Sequence, residues 1–178
     1  MYKYVLKRVI DFILVLIILV VVGPILLLIT IWLHFANKGA GAFFTQERPG
    51  KDGKIFRVIK FKTMTDERDT DGNLLPDAQR LTKVGRFVRS TSIDELPQLL
   101  NVLKGDMSLV GPRPHMLKHT EEYSHLINKY MVRHFVKPGI TGWAQVTGFR
   151  GETKELWQME GRVQRDIWYI EHWTFLLD

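Results

Sequence analysis

A chain of 178 residues has room for about one ordinary domain. It contains no cysteine, which excludes a disulfide framework, a thiolate metal site and a cysteine nucleophile. A formal net charge of +6 favours acidic partners such as phospholipid headgroups or nucleotides.

The first element is an apolar run from Phe12 to Leu33 without one charged residue, preceded by Lys3, Lys7 and Arg8 and followed by Lys38. It exceeds the roughly 20 residues a helix needs to cross a bilayer. It is also longer than the apolar core of a cleaved leader, about 7–15 residues, although Ala40-Gly-Ala42 resembles a cleavage site. Gly23-Pro24 divides it into halves that would each rise about 16 Å, half a hydrocarbon core. Proline removes a backbone hydrogen bond and bends the helix. Two outcomes stay open: a kinked spanning helix, or a break that returns the chain to the leaflet it entered. Basic residues at both ends fit the second slightly better.

Beyond residue 38 there is no second spanning run, repeat or linker, so the remainder reads as one globular unit. Phe43–Gln46 and Ile55–Lys62 alternate as strands, joined through Pro49-Gly50 and Asp52-Gly53 in a hairpin-like arrangement. Arg57, Lys60 and Lys62 lie on the second strand, where a solvated face explains them about as well as phosphate binding does. Residues 66–80 read as a polar loop turning at Asp71-Gly72. Asp66, Asp69 and Asp71 miss the spacing of a calcium loop. Leu81, Val84, Phe87 and Val88 predict a short amphipathic helix over 81–88.

Residues 89–114, RSTSIDELPQLLNVLKGDMSLVGPRP, hold the densest information. Pro97 is tolerated in a helix only within its first turn, so the helix through Leu99 and Leu103 starts near Asp94. Gly105 closes it. A carboxylate there meets the positive end of the helix dipole, and the free N–H groups attract phosphate. Asp94 and Glu95 could thus supply a nucleophile or metal ligands. Ser92 with Glu95 also spells a capping box, and on these residues alone capping is the simpler account. Met107–Val110 reads as a short buried strand. Gly111-Pro-Arg-Pro114 holds Arg113 stiffly, suited to phosphate or carboxylate, or merely a tight turn.

Helices follow around 118–135. His115, His119, His125 and His134 lack metal spacing. Lys137–Val146 is a glycine-punctuated loop. Trp143, Trp157, Trp168 and Trp173, with Tyr169, suit core packing or a headgroup-level belt.

KRVIDF at 7–12, the proline-broken apolar run, TQERPG at 45–50 and IKFKTM at 59–64 stand in order with the 89–114 stretch, KPGITGWAQV at 137–146 and RDIWYIEHWTFLLD at 165–178. Together they resemble the monotopic phosphoglycosyltransferases, or bacterial sugar transferases, over essentially the whole chain. The resemblance implies an α+β fold: a mostly helical globular domain with a small β-hairpin, on an N-terminal re-entrant membrane helix broken at Gly23 and Pro24. Residues 1–38 would be the anchor and 39–178 the catalytic domain, on the cytoplasmic face of a bacterial inner membrane.

The implied activity moves a sugar 1-phosphate from a UDP-sugar to polyprenyl (undecaprenyl) phosphate and releases UMP. It would open exopolysaccharide, capsule, O-antigen or glycoprotein glycan synthesis. Asp94 aligns with the family's nucleophile and Glu95 with its acidic partner, the pair that works with Mg²⁺. Attack by Asp94 would form an aspartyl phospho-sugar, which polyprenyl phosphate then displaces. Lys60, Arg89, Arg113, Arg150 and Gln145 match positions for phosphate or substrate contact, with Asp166 an acid near the site's edge. A homodimer is one form the protein could take.

Three departures stand out. Gly23-Pro24 replaces Ser-Pro. The loop after Val146, Thr-Gly-Phe-Arg-Gly-Glu-Thr, is longer than a short Asn-Gly-Arg form, which loosens the placement of Arg150. With RVQRDIWYIEHW it looks closer to large enzymes that usually prefer UDP-glucose or UDP-galactose. The chain starts at the catalytic region, as small members do, and stops at Asp178 where relatives continue, as a truncated form would. A non-catalytic nucleotide- or lipid-binding scaffold would predict a lost acidic pair or lost arginines, and neither is seen. A nucleic-acid binder would have no use for the apolar run. A multi-span transferase would need many such runs.

Overall fold

The apolar run folds as a single α-helix, α1 (Lys7–Ala36), following a π-wound turn at Tyr2–Leu6. This computed structural model describes every residue except Met1, Glu152 and Lys154, so the glutamate of the Arg-Gly-Glu-Thr stretch lies outside the described residues. At 1.5 Å per residue α1 is about 45 Å long, and it is long and apolar enough to cross a membrane. Pro24 sits inside the helix, leaving the carbonyl one turn earlier without its N–H partner. Thr30 Oγ1 donates back to the Leu26 carbonyl at 2.7 Å, a bond that also bends helices. Much of the surface of α1 is bare hydrocarbon: Val20 is 78% exposed and Phe35 75%.

The remaining elements are β1 (Phe43–Pro49), β2 (Ile55–Phe61), α2 (Asp77–Arg80), α3 (Lys83–Ser90), a 3₁₀ turn (Ile93–Gln98), α4 (Leu99–Lys104), β3 (Ser108–Val110), α5 (Leu117–Leu126), a 3₁₀ turn (Tyr130–Phe135), β4 (Gly139–Thr141), α6 (Trp143–Val146) and α7 (Leu156–His172). They form two compact units. One comprises Met1–Leu16, Glu47–Val58 and Leu99–Asp178; the other comprises Ile17–Gln46 and Ile59–Gln98.

In the second unit Ile29, Leu33, Ala42, Phe61 and Val88 form a core, with Leu26, Val84 and Ile93 against it. Asn37, fully buried, pins the turn after α1 by donating to the carbonyls of Gly41 (2.8 Å) and Lys62 (2.7 Å). The 66–80 segment is the expected loop up to Pro76, but its end winds into the short helix α2 (Asp77–Arg80), which corrects the reading there. The Asp69 carboxylate accepts the N–H groups of Asp71 and Asn73, both at 2.9 Å, and Gly72 takes φ +83°.

In the first unit Ile127, Tyr130, Met159 and Val163 form a separate core. β3 and β4 pair in parallel, Ser108 opposite Gly139 and Val110 opposite Thr141. This strand corrects the reading of 137–146 as a loop. Gly139 is required by close approach, since a Cβ there would lie 2.1 Å from the Gly111 nitrogen. Of the late aromatics, Tyr169 is core, whereas Trp157 is largely exposed.

Candidate active site

Lys60, Arg89, Asp94 and Glu95 come together in one unit. β2 carries Lys60, whose ammonium lies 2.8 Å from Glu95 Oε1 with both side chains mostly buried. The three cations read onto the strand therefore divide: Arg57 is exposed beside Glu47 at 3.6 Å, Lys62, one residue past β2, pairs with Asp66, and Lys60 is the one of the three that serves the acidic pair. α3 is N-capped by Thr82, which accepts the Gly85 N–H at 2.9 Å, and ends with Arg89 in its last turn. Arg89 Nε donates to Thr63 Oγ1 at 2.8 Å.

Gly85 permits this packing. A Cβ there would stand 2.0 Å from the Thr63 carbonyl oxygen. Gly85→Ala should cost about 3 kcal/mol, the upper part of the overpacking range, and loosen Arg89 by displacing Thr63. Chemical denaturation measures the first effect; an unchanged midpoint would show that the chain relieves the clash freely.

The acids lie in the 3₁₀ turn Ile93–Gln98, with Pro97 inside it, and the α-helix proper begins only at Leu99. That shifts the helix start expected at Asp94. Ser92 takes φ +59°, a left-handed conformation and not the extended backbone of an N-cap. Gly105 at φ +94° closes α4 as expected, its N–H reaching the Asn101 and Val102 carbonyls.

Burial pushes the half-buried Asp94 carboxyl above the ordinary aspartate value. Lys60 and Arg89 oppose this and Glu95 reinforces it. Burial thus outweighs the helix-end effect that the sequence suggested. Among the described residues Asp94 makes no ion pair. Lys60, Arg89, Asp94 and Phe44 line a cleft of about 500 Å³, an ordinary size for a small-molecule site.

Two adjacent carboxylates suit a hard cation such as Mg²⁺, which commonly takes one or two carboxylates and completes its shell with substrate phosphates and water. No cluster of three or more acids and histidines able to hold a metal exists among the described residues. The pair therefore fits Mg²⁺ when a diphosphate supplies further oxygens.

The other unit holds Arg113, Gln145, Arg150 and Asp166. Asp166 is 2% exposed and bonded to Arg133 Nη2 at 2.6 Å. Burial raises its carboxyl, opposed by Arg133 and Arg162. The same Arg133 nitrogen donates to the Arg113 carbonyl at 2.9 Å, fixing the backbone that presents Arg113. Arg162 donates to the Phe149 (3.1 Å) and Gly151 (3.0 Å) carbonyls and so brackets Arg150. His115, buried among these arginines, is held far below its usual value by desolvation and by their charge. It stays neutral, with Nδ1 2.5 Å from Arg133 Nη1 and 2.9 Å from the Tyr130 hydroxyl. Gln145 lies in α6 with its Oε1 buried and, among the described residues, without a hydrogen-bond partner. Arg133 and Arg162 escaped sequence reasoning, although a charge set between apolar neighbours, as in Met131-Val-Arg-His-Phe135, is a weak signal of burial.

Residues 2–178 match the family described as Bacterial sugar transferase. The chain is 52% identical over 154 residues to the "Uncharacterized sugar transferase EpsL" of Bacillus subtilis, covering 86% of this chain and 72% of that protein. It is 49% identical over 174 residues to the UDP-glucose:undecaprenyl-phosphate glucose-1-phosphate transferase of Klebsiella pneumoniae. The protein of that name from Escherichia coli is 48% identical over 176 residues. These alignments cover 97% of this chain but 37% and 38% of the two longer relatives.

Proposed function

The chain belongs to the bacterial sugar transferase family, and from that premise we propose that it transfers a sugar 1-phosphate from a UDP-sugar to undecaprenyl phosphate, releasing UMP. The observation that carries this reading is Asp94: a desolvated carboxylate with no ion pair among the described residues, sharing a cleft with Lys60 and Arg89 and next to Glu95. Few waters need leave such a group before it attacks, and two cations stand ready for phosphate charge.

The reaction runs in two displacements. An Asp94 oxygen attacks the sugar-bearing phosphorus, the bond from that phosphorus to the bridging oxygen breaks, and UMP departs with the electron pair. A phosphate oxygen of undecaprenyl phosphate then attacks the same phosphorus and expels the Asp94 carboxylate. The product is undecaprenyl diphosphate sugar. Lys60 holds Glu95 in place, and Arg89, steadied by Thr63, faces the developing charge. Mg²⁺ bound by Asp94, Glu95 and the diphosphate would neutralise charge on the phosphates.

The exposed apolar surface of α1, its internal Pro24 and the basic residues at both ends support a monotopic anchor. The helix would enter and leave the cytoplasmic leaflet of a bacterial inner membrane, with the catalytic domain on the cytoplasmic side. The Klebsiella pneumoniae and Escherichia coli relatives are named for UDP-glucose, so that donor heads the panel to test. The step would open synthesis of a surface polysaccharide.

The test is intact mass after incubation with Mg²⁺ and a panel of UDP-sugars, without lipid acceptor. One hexose phosphate or N-acetylhexosamine phosphate should add per chain, with UMP released, and EDTA should prevent both. Turnover with undecaprenyl phosphate but no adduct under any donor would replace two displacements by direct transfer. Silence in both assays would remove the enzymatic reading.

A further inference from the structure

Four basic side chains surround the first turns of α1 within one unit, and only some of them are satisfied. Lys7 is neutralised by the Asp178 carboxylate at 2.8 Å, with Asp11 at 3.9 Å. Arg8 donates to the carbonyls of Val102 and Leu103, the latter at 2.7 Å. Lys51, at the hairpin tip, and Lys137, just before β4, have no acid within ion-pair distance among the described residues. Their mutual field is felt: burial first, then Arg8 and Lys51, lower the Lys137 ammonium below its ordinary value, against the smaller opposing effect of Asp11 and Asp106.

These cations line a cavity of about 300 Å³. Val110, Phe135, Ile170 and Trp173 supply an apolar wall. Phe135 is 63% exposed, and Val9 and Ile13, from the same turns of α1, are also bare. Asp11 also lines the cavity, but four cations outnumber it there; an anion would relieve that excess, and a lone small anion would leave the apolar wall wet. A molecule with a phosphate head and a hydrocarbon tail satisfies both halves.

We propose that this cavity holds the phosphate head of a membrane amphiphile, with Lys51, Lys137 and Arg8 around the phosphate and Phe135 and Trp173 against the first methylenes. Basic pockets beside membrane helices take lipid headgroups in this way. The inference rests on the membrane reading of α1 and not on the chemistry at Asp94. The amphiphile could be a bilayer phospholipid or a polyprenyl phosphate, and the experiment separates them.

The full chain in dodecyl maltoside micelles, which carry no phosphate, is labelled with acetic anhydride, and each lysine is followed by peptide mass spectrometry. Lys83, exposed on α3, is the control. At about ten times its dissociation constant, the occupant should slow labelling of Lys51 and Lys137 about tenfold and leave Lys83 unchanged. Protection by phosphatidylglycerol names a bilayer lipid; protection by undecaprenyl phosphate but not phosphatidylglycerol names the acceptor. Equal protection by inorganic phosphate would overturn the amphiphile, and protection by none would overturn the site. Labelling needs no turnover, so its failure is distinct from failure of the adduct assay.

Discussion

Turnover by the Asp94→Asn protein is expected to fall by about three orders of magnitude, the scale on which removal of a covalent nucleophile is felt. The substitution keeps the shape of the side chain and leaves the Lys60–Glu95 pair, at 2.8 Å, undisturbed. The adduct from UDP-sugar should vanish with it. Retention of turnover within about tenfold of wild type would leave Asp94 as a ligand or a cap and end its case as nucleophile.

The same variant should be more stable at neutral pH. Burial raises the Asp94 carboxyl in the folded chain, so the folded state holds the proton more tightly than the unfolded state does. That contribution is fully present below the unfolded value and is lost as pH rises through the folded one. At neutral pH wild type carries a desolvated charge that Asn lacks. Melting curves of the two proteins should therefore converge in acid and separate as pH rises, with Asn above. In activity, an attacking Asp94 must be ionised, so the acid limb of the rate profile should lie above the range of an ordinary aspartate. A limb at the ordinary position would show that burial does not govern this group.

Asp166→Ala carries the second large effect, this time on stability. Its partner Arg133 is 2% exposed, and the two meet at 2.6 Å. Removing one member of such a pair leaves an uncompensated buried charge, at a cost of about 3–5 kcal/mol. For a chain of this length, that lowers the melting temperature on the order of 10 °C. A double change, Asp166→Leu with Arg133→Met, should recover much of the loss because it removes both charges. If Asp166 instead touched substrate, turnover would fall while melting stayed put. That outcome would make Asp166 a substrate contact, as the resemblance implies.

Elements set by neighbours in sequence were legible. Alternation with two turn dipeptides gave β1 and β2, and spacing of Val84, Phe87 and Val88 gave α3. Pro97 confined the acidic pair to a helix start, although a proline and two acids in six residues wind as a 3₁₀ turn before α4. What needed partners far along the chain was hidden. β4 is three residues, two of them glycine or threonine, and exists because β3 lies beside it. Alternation put Lys60 on the second strand but did not show that Glu95 lies beside it. Arg133 and Asp166 are 33 positions apart, and no local pattern joins them. The family resemblance named Asp166 without revealing that its carboxylate is spent on an arginine.

The contacts of Lys7 and Arg8 bear on how this protein can be handled. A soluble version made by deleting residues 1–38 would discard more than a greasy leader. It would uncap the C-terminus of α4, where Arg8 holds two carbonyls, and strip Asp178 of its ammonium. It would also take away Asp11, whose carboxylate receives the Ser108 hydroxyl at 2.7 Å at the start of β3. The first turn of α1 behaves as a clasp for the water-facing fold, and a better soluble design would keep residues 2–11 while replacing the bare hydrocarbon beyond them.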